Sequence, residues 1–392
     1  MGTQRPFSAA VVAMTGMAAL ALPMGIGRFA LTPILPMMQI DAGVTLGAGG
    51  WLASANYLGT LIGALLAMVI RVPLPSAIRA GLLTIGITTL AMGVEHRLPA
   101  WIALRLVAGI ATGWVLPLAS AWSLEQLSRF ERPLLNATVF AGYGVGIAAA
   151  GAACSALMRA NASSAQAWAS LGGLSFAVTA VIWPIFQSDG TGSAGKDRDA
   201  TVRRHRWDAE SARLVLCYGV FGFGYIIPAT FLPVMARQAI EDPSIFGWAW
   251  PGFGVAAAAS TFAAAGLSKS LGNRRLWSLG HLVMACGVVL PVVWQGIIPI
   301  MLSALLVGAT FTVITMAGFQ EGRKVGGVSM IAAMAAAFAT GQIMGPLTVS
   351  SVVHAEVFSE ALVGACVLLL ASAPFVLGTE RRRDDLARYR CR

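Results

Sequence analysis

Gly25-Ile-Gly-Arg-Phe-Ala-Leu-Thr-Pro-Ile-Leu-Pro-Met-Met38 decides the fold, because the chain repeats it as Gly222-Phe-Gly-Tyr-Ile-Ile-Pro-Ala-Thr-Phe-Leu-Pro-Val-Met235. Gly25, Gly27, Leu35, Pro36 and Met38 fall on Gly222, Gly224, Leu232, Pro233 and Met235 at an offset of 197 residues. The same offset carries Gly50-Trp51 onto Gly247-Trp248, and an offset of 199 carries Gly142 and Gly146 onto Gly341 and Gly345. Matches at nearly one spacing mark two related halves in the same order.

Both copies lie in apolar surroundings. Of the 392 residues, 57% are hydrophobic and 11% charged, against about 25% charged in a soluble domain. In water so apolar a chain would expose patches that aggregate. The 44 glycines suit helices that approach closely in a bilayer. The class is an all-α polytopic membrane protein, with the lipid bilayer as its first partner. The net charge of +10 sits in short loops, a central linker and the C-terminal tail. It therefore reads as topology and not as nucleic-acid binding.

A segment of about 20 apolar residues suffices to cross a bilayer. Twelve are expected: 8–38, 48–70, 77–94, 99–126, 134–158 and 168–187, then 212–236, 246–268, 276–294, 298–320, 327–354 and 358–378. The apolar run after Arg5 passes 18 residues without a cleavage motif, so it is a retained first span and not a signal peptide. The domains follow as a six-helix bundle over 1–187, a linker over 188–211, a second bundle over 212–378 and a basic tail over 379–392. With the N-terminus inside, 22 of the 27 Lys and Arg residues fall on the inner side and 3 on the outer; Arg28 and Arg105 lie within spans. That bias places both termini in the cytoplasm.

Twelve spans in two parallel halves joined by a basic linker resemble the major facilitator superfamily, over the whole chain. GIGRFALTPILPMM in the first span is similar to the bacterial YbfB/YjiJ group. Arg105-Leu-Val-Ala-Gly109-Ile-Ala-Thr-Gly113 is similar to the superfamily's R-x-x-x-G-x-x-x-G pattern. Two departures stand out. The superfamily's loop motif, a Gly with an Asp and a basic cluster between spans 2 and 3, is missing in Arg71-Val-Pro-Leu-Pro-Ser-Ala-Ile-Arg79, and Ile147 stands where the antiporter-type motif of span 5 has proline. The resemblance implies a transporter of the bacterial inner membrane that moves a small organic solute by alternating access, secondary active or facilitative, working as a monomer. A transporter-like sensor or assembly factor that moves nothing is the alternative.

A charge inside a span costs at least about 2.5–3.5 kcal/mol and usually faces a bundle interior or wet cavity. Arg28 lies about 18 residues, roughly 27 Å, along the first span. It either snorkels to the outer headgroups or faces the lumen, to bind solute or to close the outer gate. Arg105 either lines the cavity or braces backbone carbonyls of a neighbouring helix. Tyr225 replaces Arg28 in the second repeat. This asymmetry offers an anionic solute group a place to dock. Thr32, Asn56, Tyr57 and Trp114 join these as candidate solute-binding residues, with Tyr143, Gln320 and Gln342. Each alone could equally be helix–helix glue.

No acid is expected at mid-membrane, which leaves Glu125, Glu321 and His354 as edge candidates for coupling to protons. His281, six residues from Arg275, reads as interfacial. Pro36 and Pro233 remove helix hydrogen bonds near the outer ends of spans 1 and 7 and suggest either paired gates or plain kinks. No H-E-x-x-H, phosphate-binding loop or metal-spaced Cys/His cluster occurs in the sequence, and none of the five cysteines has a C-x-x-C partner. No enzyme, cofactor or metal is expected.

Overall fold

Long apolar helices make up most of the described residues of the computed structural model, which describes residues 7–70, 72–130, 132–186, 207–239, 249–294, 296–350 and 356–377. The first span begins at Ser8, whose hydroxyl accepts from the Val11 N–H at 3.3 Å and so satisfies one orphan donor. It then runs as α1 (Ala9–Ala21), a π-helical segment (Leu22–Phe29) and α2 (Leu31–Asp41). There follow α3 (Leu46–Val69), α4 (Leu74–Val94), α5 (Leu98–Leu127), α6 (Pro133–Arg159) and α7 (Ser164–Ile182). The second part holds α8 (Ala209–Ala239), α9 (Ala249–Val293), α10 (Ile297–Ser350) and α11 (Glu356–Leu377). Among the described residues, 10 helices are long and apolar enough to cross a membrane.

Two of these are broken internally where the sequence places loops. Gly272 interrupts α9 at φ 75°, and Gly326 and Gly327 interrupt α10, Gly327 at φ 62°. With ψ at 164° and −143°, Gly272 and Gly327 lie in a region essentially restricted to glycine. The breaks fall between expected spans 8 and 9 and between spans 10 and 11.

The pattern of burial is that of a protein solvated by lipid. Leu216, Val255, Met301 and Phe375 point outward, while Asn56, Thr112, Ser120 and Gln342 are buried. With no water to drive helices together, backbone proximity and interhelical hydrogen bonds hold them. The R-x-x-x-G-x-x-x-G motif shows how: Gly109 and Gly113 lie against the Asn56 and Thr60 carbonyls, and Gly59 and Gly63 against those of Leu106 and Ile110. A Cβ at any of the four would enter the facing backbone. Across the repeats α6 packs on α9, with Gly144 against Gly254, and α10 packs on α3 and α5.

A polar tie closes one end of the first repeat. The Asp41 carboxylate accepts from the Ser164 N–H at 2.5 Å and hydroxyl at 2.7 Å, capping α7 from the end of α2. In the sequence Asp41 reads only as a loop acid. The irregular backbone ends at Phe29, ahead of Pro33, while Pro36 sits inside the regular helix α2. Pro33 offers no N–H and its ring crowds the carbonyl four residues earlier, at Phe29. In the second repeat α8 stays helical through Pro233 to Ala239.

Candidate functional site

The π-helical segment is built to be held from outside. With i→i+5 spacing the Arg28 carbonyl would look to residue 33, which is proline and has no N–H. Arg105 Nη2 supplies the donor at 3.0 Å, and Arg105 Nη1 reaches the Gly27 carbonyl at 3.2 Å. Asn56 Nδ2 donates to the Gly27 carbonyl and to the Arg105 carbonyl, both at 3.1 Å. Arg105 is 2% exposed. Two carbonyl dipoles and the Trp168 ring, 5.9 Å away, stand in for the carboxylate that would otherwise offset a buried charge. Of the two readings of Arg105, the brace is the one this geometry displays.

The clamp leaves Arg28 pointing inward. The residue is 6% exposed, so it does not snorkel to headgroups, and its Nη2 has no hydrogen-bond partner. Its guanidinium carbon lies 5.2 Å from the Tyr57 ring centroid, 5.8 Å from Phe29 and 5.9 Å from Phe338. It borders a cavity of about 30 Å³. Met24, Thr60, Leu116 and Tyr143 contribute walls from the first repeat; Tyr218, Phe311, Thr315, Phe319 and Phe338 contribute walls from the second. Among the described residues that line the cavity, Arg28 is the only charged one.

The family described as "Uncharacterised MFS-type transporter YbfB" matches residues 20–376, from the first span into the last. The chain belongs to this YbfB family of major facilitator transporters. No curated protein matches the chain. YbfB-type proteins are membrane transporters and not enzymes.

In this YbfB-type chain the expected site residues divide into groups. Arg28, Tyr57 and Tyr143 meet at or beside the cavity, and Asn56 and Arg105 stand behind it as the clamp. Tyr225 is one layer back. Its ring stacks on Phe311 at 4.6 Å and its buried hydroxyl has no partner. Gln342 is also fully buried with both amide atoms unpartnered, away from the lining. Three others lie elsewhere. Trp114 turns to α4 and donates to the Ala77 carbonyl at 3.1 Å, Thr32 is exposed, and Gln320 is half-buried next to the charged Glu321.

The coupling candidates are likewise spread out. Glu321 is buried and accepts from Arg274 Nε at 2.7 Å and Lys324 Nζ at 3.5 Å; Arg274 also pairs with Glu210. These ion pairs join α8, α9 and α10. Glu125 is exposed at the end of α5, within the electrostatic reach of Arg323 on α10. His354 lies outside the described residues.

His281 departs from its interfacial reading. It is fully buried, accepting from Trp277 Nε1 at 2.9 Å and lying 2.7 Å from Ser372 Oγ. The indole can only donate, so Nε2 accepts and Nδ1 carries the proton toward Ser372. The histidine is neutral and ties α9 to α11.

Sequence reading by residue type passed over Phe311, Thr315, Phe319 and Phe338. Phe311, Thr315 and Phe319 recur at i, i+4 and i+8, one face of a helix. That periodicity was a signal for a shared wall.

Proposed function

We propose that the chain moves a small organic solute bearing an anionic group across the bilayer by alternating access, with Arg28 as the docking point. The carrying observation is the buried, unpartnered Arg28 Nη2 on a cavity whose walls come from both repeats. A buried guanidinium without an acceptor is costly, and a carboxylate or similar anion fits its planar fork. Asn56 and Arg105 hold the turn that aims it.

The architecture proposed is two six-helix bundles over 1–187 and 212–378, linked through 188–211, with the 379–392 tail and both termini cytoplasmic and the protein acting as a monomer. The glycine breaks in α9 and α10 divide the described helices into twelve rods, six on each side of the linker. Rocking one bundle against the other would part the cavity walls toward each face in turn. Among the described lining residues none is acidic, which supports transport without a cavity carboxylate as proton carrier. A stoichiometric proton flux abolished by Glu125→Gln or Glu321→Gln would contradict that.

The test is access from two sides. Thr60→Cys and Thr315→Cys, each in a background lacking the native cysteines, are reconstituted and exposed to an impermeant thiol reagent from either face. Labelling from both faces is expected. Labelling from one face only, or from neither, refutes alternating access at this cavity.

A further inference from the structure

We propose that the solute taken at Arg28 is a monoanion with a flat apolar body, of which an aryl monocarboxylate is the simplest member. The inference rests on this cavity being the transport site. Charge sets the first limit. Arg28 is the only charged side chain among the described lining residues. The neighbouring guanidinium of Arg105 is committed to the Gly27 and Arg28 carbonyls. A second carboxylate on the solute would find no cation, and an ammonium group would find no acid. Each would be buried unpaired, so dicarboxylates and zwitterionic amino acids are disfavoured.

The walls set the second limit. Tyr218 stacks on Phe319 at 5.5 Å and 25°, and Tyr225 on Phe311 at 4.6 Å and 28°. Tyr143 meets Phe311 edge-on at 6.0 Å. The cavity itself holds only about 30 Å³, so a solute enters as the two sets of walls part. A flat ring needs the least parting and replaces the Tyr143–Phe311 contact, which crosses between the repeats, with a contact of the same kind; the Tyr218–Phe319 and Tyr225–Phe311 stacks lie within the second repeat and form its wall. A puckered aliphatic ring of equal charge forces a wider gap and forgoes the stacking. Phe338 faces both Arg28, at 5.9 Å, and Tyr225, at 6.0 Å. It therefore stands where the carboxylate and the ring of such a solute would join. Beyond Arg28, the described polar lining is limited to the hydroxyls of Thr60, Tyr143, Tyr218 and Thr315.

The experiment is calorimetric binding of 2-naphthoate to the purified full-length protein, with benzoate, cyclohexanecarboxylate, phthalate, phenylalanine and benzyl alcohol as competitors. Benzoate is expected to compete at least fivefold better than cyclohexanecarboxylate and at least tenfold better than the other three. Arg28→Gln should weaken 2-naphthoate at least tenfold. Phe338→Leu should weaken it three- to tenfold while leaving cyclohexanecarboxylate within twofold, which a general loss of fold would not do. Equal binding of cyclohexanecarboxylate, tighter binding of phthalate or phenylalanine, or no binding of either aryl carboxylate at millimolar concentration overturns the solute class. Two-sided labelling of Thr315→Cys in those same cases would leave the transport site standing; its absence would remove the site itself.

Discussion

Replacing Arg105 by Leu, Asn56 by Leu, and both together asks whether the π turn is held from outside its own helix. The Arg28 carbonyl accepts from Arg105 Nη2 at 3.0 Å, and Pro33 denies it a helical donor in the i→i+5 register. Arg105→Leu leaves that carbonyl unsatisfied, at about 1–3 kcal/mol, and removes charge-assisted bonds of about 1.5–3 kcal/mol. Taking a 2%-exposed guanidinium out of the interior offsets part of this. The net expectation is about 2 kcal/mol of destabilisation. Asn56→Leu leaves the Gly27 carbonyl with Arg105 as its donor, so it should cost only about 0.6–1 kcal/mol, as for an ordinary intramembrane bond. The double variant strips both side-chain donors from Gly27. Its cost should exceed the sum of the single costs by about 1 kcal/mol, above the roughly 0.6 kcal/mol average of intramembrane pairs. The assay is unfolding in mixed micelles by detergent titration, read as a double-mutant cycle. Additivity within about 0.3 kcal/mol, or a stabilised Arg105→Leu variant, refutes the clamp. Solute affinity gives a second readout, because Arg105 should lower it without lining the cavity.

The buried histidine yields a stability prediction: His281→Leu orphans the Trp277 indole and should cost about 2 kcal/mol, visible as a lower thermal transition, while His281→Gln should recover part of it. An unchanged transition in His281→Leu would count against the tie between α9 and α11. For topology, cysteines introduced in the 187–211 linker should be shielded from an impermeant reagent in intact cells and those beside Asp41 should label; the reverse pattern would invert the orientation. For the hinge, Pro33→Ala should restore a ladder donor and slow exchange between inward- and outward-open forms more than Pro36→Ala or Pro233→Ala does, measured by spin-label distance distributions. Equal effects at all three positions would separate the π segment from gating.

Much of this protein follows from its sequence because bilayer crossing is a local property. A run of apolar residues either spans or does not, so the class, the repeat and the breaks near Gly272 and Gly327 could be read one segment at a time. The two intramembrane arginines also stood out, since a charge in lipid demands an explanation. The use of each arginine was a different matter. Arg105 had two readings, and only the meeting of α3, α5 and the π segment chose the brace. Asp41 reaching Ser164 and His281 burying itself between Trp277 and Ser372 are likewise contacts across 123 and 91 residues. Spans that are apolar nearly all round show little of which face turns inward. That choice falls to close backbone approach and to hydrogen bonds between helices, which exist only once the helices have packed.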